Sequence, residues 1–476
     1  MPVLPFSKSP ETGGFAGLIG IAKVDLTPDL KVPLRNWGAA RTEKAQGVHR
    51  PLEGRVLWLE GEEPGESAGV WISLNLGWWK TREAEIDFRR DLSARLPSEA
   101  RHLILHLTHT HAGPTLIFDE TASAAAAVIA TDRAQLLDAL ARGVEKARAA
   151  RQNSRLSWRY GHCGLAANRD LRDPFAPQRY VCAWNPETTA DQTLLVGHVT
   201  DGDDRVTAIL VNYACHPTTL GWNNTHFSPD FVGALESTVE AHFSGSSCLF
   251  IQGASGNLAP RRQYVEDLEQ ADRHGLELAY AVLSTVEGMS RSGHVLAYRG
   301  TVESGAPLGI WEERPIEFSR AVRHQTLRVV FRLKDDLPTP QDIDQVIART
   351  TDPVESERLR RLRGVRGMFG ENAQSEETLH LWQWGNTFVC AHPFEAYASL
   401  QTRLRARFPD LPIVVANLSN GWRGYLPDAA LYSENLYSVT QTPFAAGGLE
   451  RLFNSFSDAI ESLRPSTRTH HGTTKP

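Results

Sequence analysis

The sequence predicts an α/β fold built on a mixed sheet, on two observations. Apolar stretches of strand length alternate with amphipathic stretches of helix length along most of the chain. Four of those strands run straight into turns that gather histidine, glutamate, asparagine, glycine and proline. In open α/β sheets such strand ends are where ligands bind. At 476 residues the chain is long for one compact core, so two lobes or one large catalytic domain with insertions are expected.

Taken in order, residues 1–14 read as a flexible arm. A strand within 17–28 ends at Thr27-Pro28, and strands near 54–60 and 69–76 precede a helix over 81–96, where charged and apolar residues recur at helical spacing. The next strand, from Leu103, breaks into His109-Thr-His111 and stops at Gly113-Pro114. A run of small residues after Thr121 leads to an amphipathic helix over 132–151. Strands near 155–162, 193–200 and 205–214 bracket a long loop carrying Asn168-Arg169, and loops of that length in compact domains are commonly functional.

The strand at 206–215 is apolar throughout, as a strand covered on both faces should be, and it enters His216-Pro217. A helix from Asp230 leads to a strand at 248–252 and the turn Gly253-Ala-Ser-Gly-Asn-Leu-Ala-Pro260; a strand at 387–392 enters Pro393-Phe-Glu395 and a helix to 407. Residues 300–375 change character and read as an insertion or subdomain with helices near 340–350 and 354–367. The strand at 413–417, a loop through Tyr425 and a helix over 444–463 complete the domain of residues 15–463. The Ser, Thr, His and Pro of 464–476 read as a disordered tail.

With 41% hydrophobic residues, 22% charged and a net charge of -6, the composition is that of a globular protein, and no nucleic-acid partner is expected. The arginine-rich run 358–366 accordingly reads as a solvated helix face. No apolar run reaches membrane-spanning length. The five cysteines, Cys163, Cys182, Cys215, Cys248 and Cys390, are scattered and odd in number, which fits a reducing compartment rather than a disulfide framework. The amino terminus lacks the basic-then-apolar order of a secretion signal, so a cytoplasmic protein is expected.

His109 and His111 are two residues apart, which in extended chain puts both imidazoles on one face, with the Cα atoms about 7 Å apart. His216 and Glu395 likewise follow apolar strands. Each alone has an ordinary reading: a histidine at a strand end is commonly structural, and a glutamate entering a helix meets the macrodipole. Together they form a donor set of the type that holds catalytic zinc, with three protein ligands and an open position. Asp230 reads as a helix cap. Gly253-Ala-Ser255-Gly256 lacks the spacing of a nucleophile elbow and reads as a turn. Trp78, Trp79, Trp222 and Trp422 are candidates for an apolar pocket or the core.

The motifs His109-Thr-His-Ala-Gly-Pro114, Asn212-Tyr-Ala-Cys-His-Pro217, Gly256-Asn-Leu-Ala-Pro260, Pro393-Phe-Glu395 and Gly424-Tyr-Leu-Pro427 resemble, in order, signature segments of the neutral, non-lysosomal ceramidases. Val24-Asp-Leu-Thr-Pro28, Gly47-Val-His-Arg-Pro51 and Asn168-Arg169 extend the resemblance over most of residues 17–460. It implies the mixed-sheet catalytic domain of that family without its carboxy-terminal immunoglobulin-like domain. It also implies zinc held by His109, His216, Glu395 and Tyr425, with His111 near the reacting water and Arg169 polarising the substrate. Tyr432 lies in the segment where the family has further active-site tyrosines.

Where ceramidases carry a serine proposed to act in catalysis, this chain has Ala259. The function implied is therefore a zinc-dependent amidohydrolase cleaving an N-acyl bond of a soluble or amphiphilic substrate. A metal-dependent hydrolase or lyase acting on a carbohydrate or ester is a second reading, and a catalytically silent binding protein of the same fold a third. Self-association into a homo-oligomer is left open.

Overall fold

The structure, a computed structural model, describes residues 11–34, 36–61, 68–116 and 126–464. Strands β1 (Glu11–Asp25), β2 (Glu53–Glu60) and β3 (Gly69–Leu74) form an antiparallel meander, after which helix α1 (Arg82–Ser93) returns the chain to β4 (His102–Leu107), parallel to β3. Helix α2 (Ala126–Ala149) follows. The same order then recurs. Strands β5 (Gln152–His162), β6 (Thr193–Thr200) and β7 (Val206–Tyr213) meander, α3 (Phe231–His242) crosses over to β8 (Ser247–Gln252) parallel to β7, and α4 (Leu268–Glu287) comes next.

An exposed hairpin, β9 (His294–Glu303) with β10 (Pro307–Pro315), separates this from a third copy. Here β11 (Val322–Arg332) is joined through α5 (Pro340–Arg349) and α6 (Pro353–Gly367) to β12 (Gln374–Trp384) and β13 (Thr387–Ala391). Helix α7 (Ser399–Arg407) crosses to β14 (Ile413–Ala416), parallel to β13, before α8 (Tyr437–Gln441) and α9 (Gly448–Leu463).

Antiparallel pairing of β1 with β5 fuses the first two copies into one eight-stranded sheet, in the order β8-β7-β6-β5-β1-β2-β3-β4. The third copy is a separate four-stranded sheet, β11-β12-β13-β14. The two sheets face each other across a core that holds Trp71, Trp158, Trp382, Trp384, Ile104, Ile251 and Val414. Each such side chain contributes roughly 1.5–3 kcal/mol when fully buried. Helices α1 and α2 cover β1–β4, α3 and α4 cover β5–β8, and α7 and α9 cover the second sheet. Four layers result, helix-sheet-sheet-helix, because both faces of each sheet are apolar.

The α/β class with a mixed sheet is therefore as expected. Three boundaries differ. Strand β1 starts at Glu11 and pairs there with Arg159, so residues 11–14 belong to the sheet rather than to an arm; residues 1–10 lie outside the described residues, as do 465–476 of the expected tail. The segment 300–375 does not separate as a unit, because β11 pairs with β12 along its whole length and Phe331 is core. Finally, the strand from Leu103 stops at Leu107, before either histidine.

In each copy the third and fourth strands are the parallel pair. Their carboxyl ends, after β3 and β4, β7 and β8, β13 and β14, supply the loops of the site described next. Parallel strands put successive carboxyl ends on the same edge, which is why polar residues scattered over three hundred positions can meet.

Candidate active site

His109 follows β4 with a left-handed backbone, φ 78, and its amide donates to the Leu76 carbonyl at 2.9 Å. That conformation is costly for a histidine and persists only when the surroundings fix it. The extended-chain alternation expected for His109 and His111 therefore does not apply: the kink brings the rings to 5.0 Å between centroids. Ser228 holds the turn, its carbonyl accepting from Thr110 Oγ1 at 2.7 Å and its amide donating to the Ala112 carbonyl.

His216 follows β7. Its Nδ1 donates to the Ser255 carbonyl at 2.7 Å, which leaves the Nε2 lone pair facing Glu395 Oε2 at 2.9 Å. His109 is set the same way, Nδ1 toward the Gly77 carbonyl at 3.4 Å and Nε2 at 3.3 Å from the same Glu395 oxygen. Carbonyls fixing the far nitrogen are the usual support of metal-ligating histidines. Glu395 follows β13, and its other oxygen accepts from Trp422 Nε1 at 2.7 Å. Burial pushes the Glu395 carboxyl up, but its close contact with the His109 and His216 rings outweighs this and holds the group well below the usual carboxylate range. Burial, with Arg169 beside it, pushes His216 down to about 3.

Two imidazole lone pairs aimed at one carboxylate oxygen call for a cation between them. His111 adds a third imidazole: one ring nitrogen each from His109, His111 and His216 lie within 4.8 Å of one another. The His111 ring sits between Trp37 and Trp78, at 4.6 and 4.7 Å, and neither of its nitrogens meets a hydrogen-bond partner among the described residues. Burial, reinforced by His109 and His216, keeps it neutral. The residues present thus fit a divalent ion.

Arg169 reaches this centre from the loop after the short strand Ala166–Asn168, which pairs with Leu258–Pro260. Its guanidinium donates to the Gly256 carbonyl at 2.8 Å and lies 3.2 Å from the Tyr425 hydroxyl and 3.3 Å from His216 Nε2. Burial disfavours its charge, yet the Tyr425 phenol and neighbouring groups keep it well above its ordinary value. Gly256 has to be glycine here, since a Cβ would come within 2.6 Å of the Glu395 carbonyl. Burial, with the Glu395 charge, pushes the Tyr425 phenol well above its ordinary value.

All six residues singled out in the sequence, His109, His111, Arg169, His216, Glu395 and Tyr425, therefore converge. Tyr432 does not join them; Tyr437, five residues on, lines the same cavity with its ring 5.8 Å from that of Tyr425. Tyr264 also bonds Arg169. Neither Tyr264 nor Tyr437 sits in a motif, so only coordinates could find them. Asp230 is the expected helix cap, accepting from Phe231 N. Ser255 is buried with its hydroxyl on Gln252, and Ala259 lies in the short ladder opposite Ala167. Of the tryptophans, Trp78 and Trp422 line the cavity, Trp79 is core and Trp222 is exposed.

No family model matches the sequence, and no curated protein does. Solved structures do match. A ceramidase complexed with C2 superposes with a TM-score of 0.67 at 17% identity, over 94% of this chain and 75% of that one. The neutral ceramidase from Pseudomonas aeruginosa gives 0.63 at 16% identity, over 95% and 76%. The chain has the neutral ceramidase fold.

Proposed function

We propose that this protein is a zinc-dependent amidohydrolase that cleaves an N-acyl bond in a soluble or amphiphilic substrate. The observation that carries this reading is the shared approach of His109 Nε2 and His216 Nε2 to one oxygen of Glu395, beside a buried arginine. His109, His216 and Glu395 would hold the ion, with Tyr425 as the fourth ligand that the resemblance implies. When bound, the ion supplies Lewis acidity and a water of lowered pKa.

The chain's own groups cover the remaining requirements. Arg169, whose guanidinium lies 3.2 Å from the Tyr425 hydroxyl, donates to the carbonyl oxygen as it gains negative charge. His111 is neutral and, among the described residues, meets neither a hydrogen-bond partner nor the carbonyl anchor that His109 and His216 have, so it is the group suited to carry a proton. It takes one from the attacking water and returns it to the departing nitrogen as the C–N bond breaks and the new C–O bond forms. On this reading Ala259 is no obstacle, because no side-chain nucleophile is required. Trp37, Trp78 and Trp422 pack around the centre and exclude bulk solvent.

The test is metal content together with hydrolysis. One zinc per chain, lost in His109→Ala and Glu395→Gln, with carboxylate released from N-acyl amides, is the expected result. Metal without turnover of any amide supports the silent binding protein, and hydrolysis of a uronide or sugar ester but no amide supports the carbohydrate reading.

A further inference from the structure

Trp422 and Tyr425 reach the cavity from the loop that follows β14. Trp422 and Arg423 lie between Gly421 and Gly424, whose φ values of 143 and 87 fall in the region that favours glycine, so the loop has little conformational preference of its own. Something outside it must fix where the indole points. Trp422 Nε1 donates to Glu395 Oε1 at 2.7 Å, and that bond orients the carboxylate so that its other oxygen faces both His109 and His216.

Arg423 is the fixing point. Its amide donates to the carbonyl of Pro393, two residues before Glu395, at 2.8 Å, and its Nη1 donates back to the Trp422 carbonyl, also at 2.8 Å. Its Nε donates to Glu377 Oε2 at 3.0 Å. Glu377 stands on β12, in the second sheet, and its other oxygen accepts from Ser375 Oγ and, at 3.1 Å, from Arg82 Nη1. Arg423 is 4% exposed and Glu377 1%, and neither lines the cavity.

Taking two charges out of water costs about as much as their attraction returns, so a buried ion pair is a poor source of stability. Burial lowers the Arg423 guanidinium from its ordinary value although Glu377 opposes the shift. What such a pair does supply is a single geometry, because a planar guanidinium has to meet its acceptors in direction as well as in distance. We propose that the Arg423–Glu377 pair positions the metal centre: it locks the backbone at Trp422, so that the indole N–H holds Glu395 with one oxygen facing both imidazoles. Both are positioning residues that act through Trp422. The inference rests on the reading that His109, His216 and Glu395 hold a divalent ion.

The experiment measures the zinc affinity of the intact chain by competition with a chromogenic chelator, and follows urea unfolding of the same proteins without metal. Glu377→Gln alone would leave Arg423 a lone buried charge, so it is combined with Arg423→Met; Arg82, whose side chain is 28% exposed, can turn to water. The paired variant should keep a cooperative urea transition and bind zinc about 10- to 100-fold more weakly. Added to Trp422→Phe, the same two changes should cost no more than about twofold further, because the N–H they position is already gone.

Wild-type zinc affinity in Trp422→Phe, or in a folded paired variant, overturns the proposal. So does a loss that repeats in full on Trp422→Phe, which marks a general loosening, and so does a paired variant with no cooperative transition, which assigns the pair to stability. A wild type that binds no zinc overturns the reading of the centre and this inference with it; zinc on the wild type tells the two failures apart.

Discussion

The floor and the mouth of the cavity are built in opposite ways. The floor comes mainly from loops at the carboxyl ends of paired parallel strands, and His109, Arg169, His216 and Glu395 in it are buried, joined by hydrogen bonds and held by main-chain carbonyls. The mouth comes from a helix and a loop, whose Lys80, Arg360 and Arg361 line the cavity from outside the sheets. Rigid strand ends suit chemistry, where small displacements are expensive; a helix inserted between two strands can change its face without disturbing them. The comparison teaches that the buried centre and the cavity's rim are built by different parts of the chain.

The comparison breaks most sharply at Glu395. Glu395→Gln keeps the shape and removes the charge between two lone pairs, so metal should be lost and turnover should fall by more than about 10⁴-fold, checked by metal analysis and steady-state kinetics. A variant that retains metal and rate would show that the floor is not the reacting centre. His111→Gln is the next largest: metal stays at one per chain while kcat falls about 10²- to 10⁴-fold, as for loss of a proton carrier. Loss of metal instead would make His111 a ligand.

Trp422→Phe removes only the donor on the far oxygen of Glu395, so metal affinity should weaken by about 10- to 100-fold in a chelator titration, with saturated activity nearly kept.

The smallest effect concerns what lies beneath the floor. His392 is fully buried between aromatic rings, and burial pushes its imidazole down to about 3. In the unfolded chain it takes up a proton below about 6.5. Because the folded value is the lower one, the penalty is absent above that pH and grows as pH falls toward 3. Between pH 7 and pH 5 the wild type should lose about 2 kcal/mol more stability than His392→Gln, measured by urea unfolding. Parallel pH profiles for the two proteins would contradict the assignment.

Part of the floor was legible in the sequence because His109, His216 and Glu395 each follow an apolar strand and sit in a short motif with glycine or proline. His109, His216 and Glu395 could be named from those patterns alone. The mouth was not legible: arginines at helical spacing look alike whether they face water or a cavity, and only the placement of α6 separates Arg360 and Arg361 from Arg363. The same limit explains the elements that periodicity did not announce. Hairpin β9–β10 and strands β11 and β12 carry many charges, so their pattern is weak, and β12 is fixed by long pairing with β11 rather than by local preference. The kink at His109 was hidden too, because nothing in Thr-His-Thr-His signals a left-handed residue that neighbouring loops impose.

The most direct measurement is an anomalous-scattering map at the zinc edge from crystals of the protein purified with zinc. The account predicts one strong peak per chain, about 2.0–2.2 Å from His109 Nε2, His216 Nε2 and Glu395 Oε2. A zinc peak ligated elsewhere, or none at these three atoms under saturating zinc, would contradict it.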